Sequence, residues 1–360
     1  MTTGSRPPLA PLLALAAGLY AALAWSTWTL SRPPLPAGGG ELIESYGQAS
    51  GVVSRDEATY QRIRRAGPDF TVEYGFRNFN QDPLEISIRL PQRDVQAAVA
   101  EFGFREVDFA AIDDWYKKAQ DGAIFRTKDL FTTGKVTAAD QKALAIKMAD
   151  IKRHNESIRA ALDVTMADLA KDYRERRVKL YASAGFRYKD SHTVEVDMPA
   201  LIRRNSRRMA PVSLAFSRIV EEKEYGMEEL VGAVTAMAQT AIRYEDPGLT
   251  AGEKTIGGVL PPPKSFTVGQ GDCDTKTGVI GSVLMNWPNL RLVGLAIPGH
   301  YLMAVHRIPA KGEYFVEHEG LPYVMIESAG PAWLSPGTVG DLTENYLRSG
   351  RLFAIQPFKF

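Results

Sequence analysis

The only cysteine of the chain, Cys273, lies in the stretch VGQGDCDTKTGVIG, between two aspartates and just after a glycine turn. A buried structural cysteine usually behaves as a small hydrophobe, and Asp272 and Asp274 are poor neighbours for that role. Asp272 is a good N-cap residue, and apolar residues follow it at helical spacing until Pro288. The pattern predicts Cys273 in the first turn of a helix. Backbone N–H groups and the positive dipole end at that position lower a thiol pKa and can bind an oxyanion.

A general base for this thiol is offered by His300. It follows an apolar strand that ends at Ile297 and a Pro-Gly break, so it begins a second strand. His306 is the competing histidine. On a strand it faces the same side as His300 but lies about 20 Å further along, at about 3.3 Å per residue. We therefore predict that His300, and not His306, serves the site of Cys273.

A carboxylate that could orient His300 ends another apolar strand, which runs from Tyr323 to Glu327. We predict that the two strands pair antiparallel with Tyr301 opposite Ile326, because that register matches their apolar runs. His300 then lies directly opposite Glu327, with Cβ atoms about 5 Å apart. A carboxylate in that position holds the imidazole tautomer and stabilises its cation.

Three segments match motifs for phosphate or metal chemistry only in part. The segment Gly258–Ser265 has the spacing of a phosphate-binding P-loop, but Pro263 replaces the second glycine and the three prolines there have no N–H groups. DCDT imitates the aspartyl nucleophile of haloacid-dehalogenase-like phosphatases but follows glycines, not a buried strand. Lys276 puts a cation where a calcium loop needs an oxygen ligand. The sequence predicts no metal and no cofactor.

Three motifs, GDCDTKT, IPGHYLMAV and VMIESAGPAWL, resemble the cysteine, histidine and acidic motifs of the transglutaminase-like superfamily, in its bacterial cysteine-peptidase-like branch. The upstream segment MEELVGAVTAMAQTAIRYEDP resembles the helix that precedes the nucleophile in that family. The resemblance covers residues 213 to 341 or so. It implies an α+β fold with a papain-like core, in which the cysteine helix packs on an antiparallel sheet that carries the histidine and the acid.

Carried over residue by residue, the resemblance implies Cys273 as nucleophile, His300 as general base and Glu327 as orienting acid. Many members have aspartate at the third position. The family's side-chain oxyanion donor has no clear match; Gln270 is the candidate by proximity, with Asp272 as the helix cap. The implied activity is acyl transfer through a thioester on a protein or peptide. Hydrolysis is favoured, and Gln–Lys crosslinking or a non-catalytic interaction module on the same fold are the alternatives.

The N-terminal part of the chain predicts a membrane connection. Residues 8–30 are uncharged and largely apolar, and two tryptophans stand near their end. About 20 apolar residues span a bilayer, and tryptophan is a common anchor at its edge. The length favours an uncleaved anchor over a cleaved signal peptide, with the catalytic part outside the cytoplasm, in the periplasm. A Pro/Gly linker follows at 31–41. The net charge of +1 argues against a nucleic-acid partner.

The region 42–212 resembles no family that we can name. It contains two predicted strands around a turn within 70–90 and a short helix at 92–101. A long helix is predicted over 138–178, with a capping start at Thr137 and Asp140 and a narrow apolar stripe that Asn155 interrupts. The stripe favours packing within the chain, and self-association of this helix as a coiled coil is the alternative. The catalytic domain is predicted to span 213–360.

Overall fold

The computed structural model describes residues 41–42, 59–330, 332–350 and 354–358. Within this part the chain forms two compact units, one made of residues 106–180 and the other of 40–105 together with 181–360. The predicted domain boundary at 212 and 213 falls inside the second unit, within a helix. The predicted membrane segment 8–30 lies outside the described residues. Among the residues that are described, no helix is long and apolar enough to cross a membrane.

Strands and helices alternate irregularly along the chain. The strands are β1 (Glu41–Leu42), β2 (Tyr60–Ala66), β3 (Asp69–Arg77), β4 (Pro83–Pro91), β5 (Phe186–Tyr188), β6 (Thr193–Val196), β7 (Arg243–Tyr244), β8 (Thr250–Ala251), β9 (Lys254–Thr255), β10 (Gln270–Gly271), β11 (Leu292–Ile297), β12 (His300–His306), β13 (Phe315–His318), β14 (Leu321–Ile326) and β15 (Ala354–Pro357). The α-helices are α1 (Gln92–Glu101), α2 (Val107–Lys128), α3 (Gln141–Ser183), α4 (Met198–Ser206), α5 (Ala210–Lys223), α6 (Met227–Ala236), α7 (Pro262–Val268), α8 (Cys273–Leu284) and α9 (Asp341–Arg348). A 3-10 turn, Arg207–Met209, precedes α5, and a π-helical turn, Met237–Ala241, follows α6.

The first unit is a pair of helices, α2 and most of α3. The predicted long helix is confirmed, and Asp140 caps it by accepting a hydrogen bond from the Ala143 N–H at 2.7 Å. Three residues of its apolar stripe are buried, Leu144, Ile158 and Leu162, and the others, Met148, Ile151 and Leu169, are half-buried. Asn155, which interrupts the stripe, exchanges hydrogen bonds with the backbone of Thr132. The stripe therefore packs within the chain, as the sequence favoured.

The second unit contains an antiparallel sheet of β2, β3 and β4, followed by α1. The strands predicted within 70–90 and the helix predicted at 92–101 are confirmed. Alternate residues of β4 are buried, which is the pattern of a strand with one face on a core. That face packs with α5, α6 and α8 in one apolar cluster.

The second unit also contains a five-stranded antiparallel sheet in the order β13–β14–β12–β11–β15. One face of this sheet, with Met303, Val305 and Ile326, joins the cluster around α8. The other face, with Leu302, Ala304 and Met325, forms a second cluster that includes residues next to α9. All residues of α8 are buried, so it is a core helix between layers. The fold is therefore a mixture of helices and antiparallel sheet.

The predicted register between β12 and β14 is wrong by two residues. Met303 lies opposite Ile326, where the sequence placed Val324. A two-residue slip keeps each side chain on its own face of the sheet, so apolar matching cannot choose between the two registers. The ladder ends at Met303 and Ile326, and His300 therefore does not lie directly opposite Glu327. Their side chains meet diagonally, just beyond the end of the ladder.

Candidate active site

Helix α8 begins at Cys273, as predicted, with Asp272 as its cap. The Asp272 carboxylate accepts a hydrogen bond from the Thr275 N–H at 3.0 Å. Gly271 is required just before the cap, because a Cβ atom there would lie 2.3 Å from the Thr275 methyl carbon. This turn places the thiol in the first turn of the helix, beside the start of β12.

The sulfur of Cys273 is completely buried, and its S–H donates a hydrogen bond to the Asp274 carboxylate at 3.0 Å. The backbone N–H of Tyr301 also points to the sulfur and favours the thiolate. Burial, followed by the charges of Asp274 and Asp272, nevertheless raises the pKa of the Cys273 thiol well above its usual value. The predicted lowering of this pKa is wrong in this arrangement, because burial and two carboxylates outweigh the helix N-terminus.

His300 and Glu327 form a buried pair. The imidazole Nε2 and the carboxylate Oε1 lie 2.6 Å apart, and the two residues are 2% and 4% exposed. Burial alone would lower the pKa of His300, but the charge and hydrogen bond of Glu327 raise it above its usual value. Burial alone would raise the pKa of Glu327, but His300 and two backbone N–H groups bring it below its usual value. The pair is therefore stabilised in its charged form.

The carboxylate of Glu327 is also bound by the beginning of α9. Its Oε2 accepts hydrogen bonds from the Thr343 hydroxyl at 3.2 Å and from the Gly340 N–H at 3.4 Å. A helix N-terminus favours a negative charge. The acid that orients His300 is thus held on both oxygens.

The second nitrogen of His300, Nδ1, is buried and has no hydrogen-bond partner among the described residues. Above the raised pKa of His300 the ring is neutral, its remaining proton lies on Nε2 against the carboxylate, and Nδ1 is an acceptor; below that pKa Nδ1 is a donor. In either state, a buried polar atom without a partner is costly and rare, and it calls for an explanation. A base that waits for a proton from a nucleophile is one such explanation.

Hydroxyl groups connect the three segments that carry Cys273, His300 and Glu327. The Thr277 hydroxyl donates to the Cys273 carbonyl oxygen at 2.8 Å and also contacts the Tyr301 carbonyl and the Ser328 hydroxyl. Thr277 lies on α8, Tyr301 follows His300, and Ser328 follows Glu327. The site is therefore joined across α8, β12 and the end of β14.

The candidate oxyanion donor, Gln270, has a different environment. Its side-chain N–H donates to the Glu245 carboxylate at 2.9 Å, and its carbonyl oxygen accepts from Arg243 at 3.0 Å. These contacts lie at the surface and occupy both ends of the amide. Its role as oxyanion donor stays a prediction.

Gln239 was missed by the sequence analysis. It is buried in the π-helical turn, and its side chain donates to the carbonyl oxygens of Glu327 at 2.6 Å and Leu334 at 3.0 Å. It also accepts a hydrogen bond from the Leu334 N–H at 2.9 Å. Gln239 thereby fixes the segment that carries the acid. A lone glutamine within the apolar run AVTAMAQTAI was the available signal.

The ligand atoms of Asp272, Cys273 and Asp274 lie within 4.8 Å of one another. We do not assign a metal site to this grouping. The Asp272 carboxylate caps α8 and that of Asp274 accepts the thiol hydrogen bond, so both acids have a role without a cation.

Comparisons with protein-family models, curated proteins and solved structures found no match to this chain.

Proposed function

We propose that this protein is a thiol acyl-transfer enzyme of transglutaminase-like type, whose main reaction is hydrolysis of an amide bond in a protein or peptide. The observation that carries the proposal is the buried 2.6 Å pair of His300 and Glu327, with Nδ1 of His300 unpaired among the described residues, at the start of the strand beside Cys273. A nucleophile, a base and an orienting acid in this order are the parts that thiol acyl transfer needs.

The proposed reaction has two halves. The Cys273 proton passes to Nδ1 of His300, and the thiolate attacks the substrate carbonyl carbon to form a tetrahedral oxyanion. The C–N bond then breaks, the leaving amine takes the proton from His300, and a thioester remains. In the second half His300 takes a proton from water, hydroxide displaces the sulfur, and the proton returns to the thiolate. Glu327 stabilises the imidazolium in both halves.

The proposal extends to the fold, for which we favour a papain-like α+β core. It is supported by a nucleophile helix, α8, that packs against an antiparallel sheet with the histidine at the start of one strand and the acid just after another. Cys273, His300 and Glu327 come from separate segments, so their meeting depends on this packing.

A cavity of about 910 Å³ lies at the Pro298–Gly299 turn, directly before His300, and is the candidate for the substrate's approach, although Cys273, His300 and Glu327 do not line it. Its wall carries apolar, aromatic and charged groups, among them Tyr188, Arg203 and Tyr346. Ligand cavities commonly lie in this size range and combine apolar walls with a few polar groups. Crosslinking, in which an amine and not water resolves the thioester, remains the alternative reaction.

Location outside the cytoplasm is part of the proposal and depends on the 8–30 segment as an anchor. Protease added to intact spheroplasts should then digest the chain beyond residue 40. Protection of the whole chain would place the protein on the cytoplasmic side and exclude periplasmic substrates.

The experiment that tests the activity compares wild type with a variant that lacks the single cysteine. Wild-type protein and Cys273→Ala are incubated with a quenched fluorescent peptide library, with and without a primary amine. We expect cleavage by wild type only, and incorporation of the amine into peptide would instead favour crosslinking. Equal turnover by Cys273→Ala would exclude the thiol mechanism.

The rival, a non-catalytic module, predicts no Cys273-dependent product under any of these conditions. A folded wild-type protein that yields neither cleavage nor amine incorporation on peptide and protein substrates would favour it. Thermal unfolding of wild type and Cys273→Ala provides the folding control.

A further inference from the structure

Asp274, the residue directly after the proposed nucleophile, has a contact that the triad does not explain. Its carboxylate is 4% exposed and accepts the S–H of Cys273 at 3.0 Å. A carboxylate at this distance opposes thiolate formation in two ways. It repels the negative sulfur, and it offers an acceptor that only the protonated thiol can use.

His300, the proposed base, does not hold the thiol proton in this structure. Nδ1 of His300 has no hydrogen-bond partner in the described part of the chain, although its partner in catalysis would be the Cys273 proton. The thiol therefore donates to the acid beside it while the imidazole acceptor waits. This arrangement is a resting state and not a thiolate–imidazolium pair.

We infer that Asp274 controls the nucleophile: its carboxylate holds Cys273 as a thiol in the resting enzyme, and catalysis requires the sulfur to leave Asp274 for His300. This inference rests on the proposed function of Cys273. When the contact opens, the S–H bond breaks, an N–H bond forms at Nδ1, and the electron pair stays on sulfur. Asp274 remains a carboxylate throughout, so no further reactant is needed.

Other charged or titratable groups lie around the thiol and its neighbours on each packed element. Asp272, the cap of α8, and Tyr244 on β7 interact with Cys273. Lys276 on α8 lies over the Tyr244 ring, and His300, paired with Glu327, interacts with Asp274 and Asp272. Burial raises the pKa of Tyr244, which keeps its hydroxyl neutral near pH 7. Asp272 is also a carboxylate, but its Oδ1 accepts the Thr275 N–H that caps α8. Asp272→Asn is therefore the matched control: it removes a second carboxylate charge near the sulfur and leaves the hydrogen bond from the thiol to Asp274 in place.

The test measures alkylation of the single cysteine by iodoacetamide against pH in wild type, Asp274→Asn and Asp272→Asn. We expect Asp274→Asn to react at least about 10-fold faster at pH 7, since one pKa unit changes the thiolate fraction tenfold. Asp272→Asn should shift the inflection less, and His300→Ala should remove the gain when combined with Asp274→Asn. An unchanged rate in Asp274→Asn, or an equal or larger shift in Asp272→Asn, would overturn the inference.

A second measurement needs no substitution at Asp274. The infrared S–H stretch lies in a region free of other protein bands, and Cys273→Ala supplies the baseline. We expect a hydrogen-bonded S–H band in wild type that persists above pH 8, and its absence at neutral pH would overturn the inference. Peptide turnover by wild type but not by Cys273→Ala would support the proposed function whichever way this band behaves, so the two can fail separately.

Discussion

The two ends of strand β12 each carry a histidine, and both side chains point to the same face of the sheet. His300, at the first residue, is buried and bound to the carboxylate of Glu327. His306, at the last residue, is half-buried, and its Nδ1 contacts the backbone carbonyl oxygen of Pro322 at 2.9 Å. The strand and the residue type are the same, and the partners differ in charge.

This difference separates a candidate catalytic base from a structural histidine. A buried carboxylate stabilises the imidazolium that forms during proton transfer, whereas a carbonyl oxygen orients the ring without an opposing charge. The first end of β12 also lies against the start of α8, where the thiol is. The second end has no cysteine near it, since Cys273 is the only one in the chain.

Among substitutions of the two histidines and Glu327, the largest effect is expected from His300→Ala, which removes the proposed base. Turnover of a cleaved peptide should fall by about 10²- to 10⁴-fold, the range in which general acid–base groups contribute. The measurement is initial rate on the peptide that wild type cleaves best. A rate within twofold of wild type would remove His300 from the mechanism.

A smaller loss is expected from Glu327→Gln, which keeps the size and one acceptor but removes the charge. Turnover should fall by about 10- to 1,000-fold, or roughly 1.4 to 4 kcal/mol of barrier. The loss is smaller than for Cys273→Ala because a thiolate–imidazolium pair can form without the third group. Full activity of Glu327→Gln would mean that catalysis does not depend on the charge of Glu327 beside His300.

The same pair should give the protein a defined pH dependence of stability. The pKa of Glu327 is lowered from 4.5, so its contribution is present above pH 4.5 and is lost as pH falls toward the lower folded value. The pKa of His300 is raised from 6.5, so its contribution is present below pH 6.5 and is lost as pH rises through the higher folded value.

The pair therefore stabilises the fold most between pH 4.5 and 6.5. Chemical denaturation of wild type and Glu327→Gln across pH should show the largest difference in unfolding free energy inside that window. The difference should shrink toward pH 9. A difference that is constant with pH would contradict an ionised pair.

The smallest effect is expected from His306→Ala, at the other end of the strand. It removes one hydrogen bond to a carbonyl, worth about 1 kcal/mol of unfolding free energy. Turnover should remain within about threefold of wild type, which is less than 1 kcal/mol of barrier, because His306 lies at the opposite end of β12 from the proposed site. A dead His306→Ala beside a fully active Glu327→Gln would require the triad to be redrawn.

Local features of the sequence predicted the elements that carry the site. Asp272 and the apolar spacing after it located the start of α8, and the Pro-Gly break located the start of β12 at His300. A cap and a turn act through neighbouring backbone groups, so a few residues are enough to specify them. The meeting of His300 with Glu327 was also predicted, but from a register that is wrong.

The register was decided by the tertiary structure, because strand periodicity repeats every two residues and local apolar matching is satisfied by either alignment. The contact survives because both registers keep His300 and Glu327 on one face. Sequence spacing likewise could not predict that Thr343 on α9 donates a hydrogen bond to Glu327. The two residues come together only when α9 packs beside the end of β14.

The sequence by itself determined which residues can do chemistry and where their helix and strands begin, because capping, turns and periodicity are local. Only the tertiary structure decided their electrostatic state. Burial and the neighbouring carboxylates raise the pKa of Cys273, against the prediction from the helix N-terminus alone. Desolvation and charge pairing depend on every group that surrounds a side chain, and those groups come from segments far apart in the chain.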